Sequence, residues 1–139
     1  MANLSNFAEE AILKHLLGQA SFSMPTTLYV TIFSDTATDA ELESGDFTNE
    51  ITDYTETERA TVTFTDPTQV DGKATVETAD QIEFTGMPAV TVGYYALCDS
   101  ATHGDGEILV WGGPDGQAQS ISAGNNATIP AGDITITLD

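Results

Sequence analysis

The chain changes its hydrophobic period once, near residue 18. Before that point Phe7, Ala8, Ala11, Ile12, Leu16 and Leu17 recur at intervals of three and four, the spacing of one helix stripe. Ser5 or Asn6 supplies a cap, and Asn6 and Glu9 stand at capping-box spacing. Glu10 and Lys14 form an i,i+4 pair in the favourable order, and Gly18 is a stop. The pattern predicts a helix over 5–18, about three turns long. After it the period is two. From Thr26 to Ser34, Leu28, Val30 and Ile32 alternate with Tyr29, Thr31 and Phe33. Seven more short runs rich in Thr, Val, Ile and aromatics read as strands: Arg59–Thr65, Lys73–Thr78, Gln81–Thr85, Val90–Cys98, Glu107–Trp111, Ala118–Ser122 and Asp133–Leu138. One helix followed by such strands predicts a mainly β fold. It is an antiparallel β-sandwich or jelly-roll-like barrel with one short N-terminal α-helix, a single domain over 1–139 with its β part over 26–139.

Residues 35–58 break the alternation. This stretch holds nine of the twenty-two acids, and no Lys or Arg lies between His15 and Glu58. It is expected as a long acidic loop, which in a compact domain is functional, disordered or an interaction arm. Phe47, Ile51 and Tyr54, spaced four and three apart, anchor it either to its own core or to a neighbouring subunit.

Charge narrows the function. Three basic residues against twenty-two acids give a net charge of −19. Nucleic acid is excluded as a partner, because no Lys/Arg cluster exists to displace counterions from phosphates. Anionic membranes are excluded on the same ground, and the apolar runs are too short for a membrane span. Nor does the N-terminus read as a secretory signal, since it lacks a basic start and is interrupted by Glu9, Glu10, Lys14 and His15. The charge suits a permanently exposed surface, high salt, or docking on a basic partner.

The segment from Tyr94 to Gly112 gathers an inventory that resembles an active site: Cys98, Asp99, Ser100, His103, Asp105 and Glu107. Its spacing fits a hairpin, with Gly104-Asp105-Gly106 supplying the reversal. A nucleophile needs a base held by an orienting third group on a rigid scaffold, and the only other histidine, His15, lies on the helix with no obvious partner. Cys98, inside an apolar run, reads as a buried small hydrophobe rather than a nucleophile. No cofactor is expected. Calcium is the cation to consider, held by Asp99, Asp105 and Glu107, or by Asp35, Asp39, Glu41 and Glu43, although neither run has the EF-hand pattern. Zinc is a poorer fit to two histidines and one cysteine far apart. Gly112-Gly113-Pro114-Asp115-Gly116 precedes no predicted helix, so it reads as a turn and not a phosphate loop. Trp111, Tyr94 and Tyr95 alternate along strands and read as core before they read as a sugar platform.

Several motifs in order carry a resemblance. The helix FAEEAILKHLLG is followed by Pro25-Thr26-Thr27-Leu28-Tyr29-Val30-Thr31-Ile32-Phe33 and the loop Asp35 to Ala40. An Arg-led strand comes next, Arg59 to Phe64, then the corner Asp99-Ser100-Ala101 and Leu109-Val110-Trp111-Gly112. The alternating strand after Ala131-Gly132-Asp133 closes the series. Together these resemble small virion structural and tail-fibre proteins of tailed bacteriophages. The acidic loop replaces a Gly-rich segment of that family, and Asn125-Asn126 stand where an acid is usual, both at surfaces.

The resemblance implies a non-enzymatic structural component of the phage particle, made in the host cytoplasm and exposed at the virion surface. Its partners would be other virion proteins, the major capsid protein or tail proteins, together with further copies of itself as a homo-oligomer. A short acidic β domain with no heptads or repeats suits a capsid decoration or cement protein first. A tail or tail-fibre-associated protein, or a receptor- or glycan-binding module, is the alternative. Docking is expected on the apolar face of the helix, at Phe7, Ile12 and Leu16, or on the loop at Phe47, Ile51 and Tyr54.

Overall fold

The structure is a computed structural model that describes residues 2–23, 25–113 and 118–138. In chain order its elements are β1 (Ala2–Leu4), α1 (Asn6–Leu16), β2 (Leu28–Ser34), α2 (Asp39–Ser44), β3 (Ala60–Val62), β4 (Thr68–Val70), β5 (Lys73–Glu77), β6 (Ile82–Phe84), β7 (Val90–Cys98), β8 (Ile108–Gly112), β9 (Gln119–Ile121), β10 (Ala127–Ile129) and β11 (Thr135–Leu138). The protein is mainly β, antiparallel and sandwich-like. The main sheet runs β1-β8-β7-β2-β3, with β9 paired to the first half of β7. Two small ladders, β10-β6 and β11-β5-β4, complete the β part.

The alternation in β2 has a consequence the sequence left open: both of its faces are buried. Val30 and Ile32 enter a core with Leu97, Ile82, Phe84, Met87 and Ile134, where the small ladders cover the main sheet. Phe33 enters a second core on the opposite face with Ala96, Cys98, Ile108 and Trp111, covered by Leu42 of α2 and Ala37. A register shift between Leu97 and Cys98 leaves Leu109 without a partner in β7. That irregularity lets Ile108 and Trp111 share the second core while Val110 packs against the first.

The helix expected over 5–18 forms over Asn6–Leu16 with Ser5 as its cap, accepting a hydrogen bond from Ala8 N. The Asn6/Glu9 box does not form, because Ser5 is already held by β8. Its hydroxyl donates to Ile108 O, and its amide donates to Leu109 O at 3.0 Å. Residues 35–58 differ from the loop expected there, since they contain a second helix. Thr38 and Glu41 close a capping box on α2, and Gly45 ends it at φ 79°. The chain then returns along β2, with Ile51 N donating to Ile32 O at 2.9 Å and Ser34 N to Asn49 O at 3.0 Å. The glycine-rich turn expected at Gly112–Gly116 lies partly outside the described residues.

Candidate functional site

The chain's single arginine makes the most connected polar site among the described residues. Arg59 and Glu50 form a bidentate pair, Nε to Oε1 at 2.7 Å and Nη2 to Oε2 at 3.1 Å, with both side chains inaccessible to solvent. Arg59 Nη1 donates to the carbonyls of Ser100 (2.9 Å) and Asp105 (2.8 Å), and its guanidinium lies 4.6 Å from the centre of the Phe47 ring. Glu50 also accepts from Thr31 Oγ1 and Gly104 N, each at 2.7 Å. The acidic segment, β2 and the β7–β8 connection are thereby tied at one point. Sequence reading marked Arg59 only as the start of a strand. Its rarity, the one arginine directly after an acid-rich run, was the available signal.

The residues that resembled a catalytic set are spent on that connection. The expected hairpin of β7 and β8 forms, and its turn is the longer stretch 99–107, with Gly104 and Gly106 at φ 73° and 78°. Asp99 Oδ1 accepts from Glu107 N at 2.8 Å, and Asp105 accepts from the Ser100 hydroxyl at 3.3 Å. His103 Nε2 and the Tyr54 hydroxyl are hydrogen-bonded at 2.7 Å. Burial, with the charges of Glu50 and Glu56 behind it, pushes the Tyr54 phenol up to about 12. Cys98 is fully buried, and burial pushes its thiol up to about 12, so a neutral core residue is the state the fold favours.

Of the acids considered for calcium, Asp39 accepts from Tyr94 and Glu41 caps α2. Among the described residues no group of three or more His, Cys, Asp or Glu gathers as a metal site. Trp111 is buried beside Tyr94, ring centres 6.4 Å apart, so it offers no open face to a sugar. Tyr95 instead lines a half-open cleft of about 510 Å³ between the main sheet and the small ladders, with Ile32, Phe84, Val92 and Ile129.

The six residues expected to dock fall into two groups. Ile51 is buried in the first core, Phe47 stacks on Phe33 at 6.3 Å, and Tyr54 packs edge-on against Phe84 at 5.3 Å. These three anchor the acidic segment to its own domain, one of the two roles expected of them. On α1, Ala8 is buried against the sheet and Ile12 is half-buried, but the helix end overhangs. Phe7 is 41% exposed, Leu13 57%, Leu16 73% and Leu17 68%. Leu13 was not in the predicted stripe, and it joins Leu16 and Leu17 in one open apolar patch.

A family model described as podophage GP4 fiber I protein gp80 matches residues 3–137, from β1 to β11. The chain belongs to that family. It is therefore a phage fibre-family protein, a structural component of the virion, as its motifs suggested. No curated protein matches it. No helix of the described residues is long and apolar enough to cross a membrane.

Proposed function

We propose that this fibre-family chain is a non-enzymatic structural module on the tail side of the phage particle, seated on other virion proteins through the exposed end of α1. The observation that carries the reading is the family match across nearly the whole folded unit. The fold supports it: a sheet buried on both faces and a loop clamped by a buried ion pair make a stiff body, while four large apolar side chains stay open on one helix. Charge and size suit a capsid decoration as well, but the fibre description of the family favours the tail. The cleft beside Tyr95 favours glycan or receptor binding as a second role.

Immunogold labelling of intact virions tests the placement. Gold confined to the tail is the expected result, and gold spread evenly over the head would return the capsid reading to first place. Saturable binding of a host polysaccharide by the purified chain, lost on Tyr95→Ala, is the result expected for the second role.

A further inference from the structure

Four residues stand in register across the main sheet and share one of its faces: Ala2 in β1, Gly112 in β8, Tyr95 in β7 and Ile32 in β2. Ala2, Tyr95 and Ile32 line the cleft of about 510 Å³, a volume in the range of small-molecule sites. Gly112 explains how a half-buried tyrosine is held there. A Cβ at 112 would lie 2.5 Å from Tyr95 Oη and 2.6 Å from its Cζ. The outer end of the ring therefore fills the space that a side chain at 112 would take. Tyr95 is seated before any ligand arrives, as one wall of the cleft.

The chemistry of the other walls narrows the ligand. Ile32, Phe84, Val92 and Ile129 make them largely apolar, while Thr128, Asp133 and Thr135 bring polar groups. Asp133 is the one charged side chain among the described lining residues, and none of Lys14, Arg59 and Lys73 is among them. An anionic ligand would meet a carboxylate, no cation, and a body of net charge −19. A hydroxyl turned toward the aliphatic wall would lose its water without gaining a partner. A seated aromatic ring beside aliphatic side chains suits an uncharged sugar ring with a methyl group where most hexoses carry a hydroxymethyl.

We infer that the cleft binds a neutral 6-deoxyhexose unit of a polysaccharide, its ring against Tyr95 and its C6 methyl toward the aliphatic wall. Gly112 is a positioning residue for that site, acting through the tyrosine it seats. The inference rests on the reading of the cleft as a glycan site and names the class of sugar.

Saturation-transfer NMR on the full chain tests it, with L-fucose and L-galactose, which differ only in the C6 hydroxyl, with L-rhamnose and L-mannose, which differ likewise, and with D-galacturonate. Transfer to L-fucose or L-rhamnose is expected, strongest at the C6 methyl. The 6-hydroxyl counterpart should bind about tenfold more weakly, the order of the penalty for an unpaired buried hydroxyl, and D-galacturonate not at all. Tyr95→Ala should abolish the transfer and Tyr95→Phe should keep it. Gly112→Ala should weaken it without changing the circular dichroism spectrum, and an unchanged affinity would remove the positioning role of Gly112. A 6-hydroxyl sugar or D-galacturonate bound as well as the deoxy sugars, or transfer undiminished in Tyr95→Ala, would overturn the inference. Host polysaccharide separates this from the glycan reading. If it is bound by the wild type and lost on Tyr95→Ala while the deoxy sugars show no transfer, only the sugar class falls. If neither polysaccharide nor sugar binds, the glycan reading falls with it.

Discussion

Arg59 matters less for the energy of one ion pair than for what its removal would strand. A buried pair replaced whole by apolar groups is often neutral, whereas removing one partner leaves a desolvated charge and costs about 3–5 kcal/mol. Glu50 would keep Thr31 and Gly104 as donors but lose its bidentate partner, and the carbonyls of Ser100 and Asp105 would lose theirs. Arg59→Met is therefore expected to lower unfolding free energy by about that amount in urea titration. Arg59→Met with Glu50→Leu should lose less than the sum of the two single changes; simple additivity would show that the two side chains do not act as a unit. The second residue-scale prediction concerns alkaline pH. Tyr54 and Cys98 both have folded values raised by burial, from 10.0 and 9.0 to about 12. The unfolded chain ionises first, so stability is full below about pH 9 and falls as pH rises toward 12. Tyr54→Phe should remove part of that fall in Tm between pH 9 and 11. If Tyr54→Phe follows the wild-type curve, the phenol is not a contributor.

At the scale of elements, short helices here depend on their caps. Ser5 satisfies Ala8 N and is itself held by β8, so Ser5→Ala should destabilise by about 1 kcal/mol or more. Gly93 sits inside β7 where the chain leaving β2 crosses closely, and a Cβ there would lie 2.5 Å from Asp35 Cα. Gly93→Ala should cost about 1–3 kcal/mol by forcing Asp35 off its bond to Thr91 O. An unchanged denaturation midpoint would mean that the crossing relaxes freely. Some elements were legible but weak in the sequence. Thr38-Asp39-Ala40-Glu41 is a capping box that announced α2, yet six residues in an acid-rich run carry no stripe. The turn Asp71-Gly72, with φ 50° and 79°, announced the hairpin of β4 and β5, although Thr68–Val70 alone shows too little alternation to read as a strand.

For the whole molecule, electrostatic self-repulsion works against packing. With acids outnumbering bases by nineteen, added salt is expected to raise Tm until screening saturates at a few tenths molar, and a fall over that range would show that the acids are locally compensated.

Periodicity and motif order by themselves determined the class of this protein: an N-terminal helix, a mainly antiparallel β body, and a chain of motifs that resembles phage virion proteins. These features are local or additive, so they survive without coordinates. Tertiary structure alone decided which faces are covered. Leu16 and Ala8 lie on one predicted stripe, yet Ala8 is buried and Leu16 is left in solvent. Phe47, Ile51 and Tyr54 sit in an acidic segment, yet the Arg59–Glu50 clamp draws that segment onto the core. Periodicity fixes the direction in which a side chain points, and only the fold decides whether anything is there to meet it.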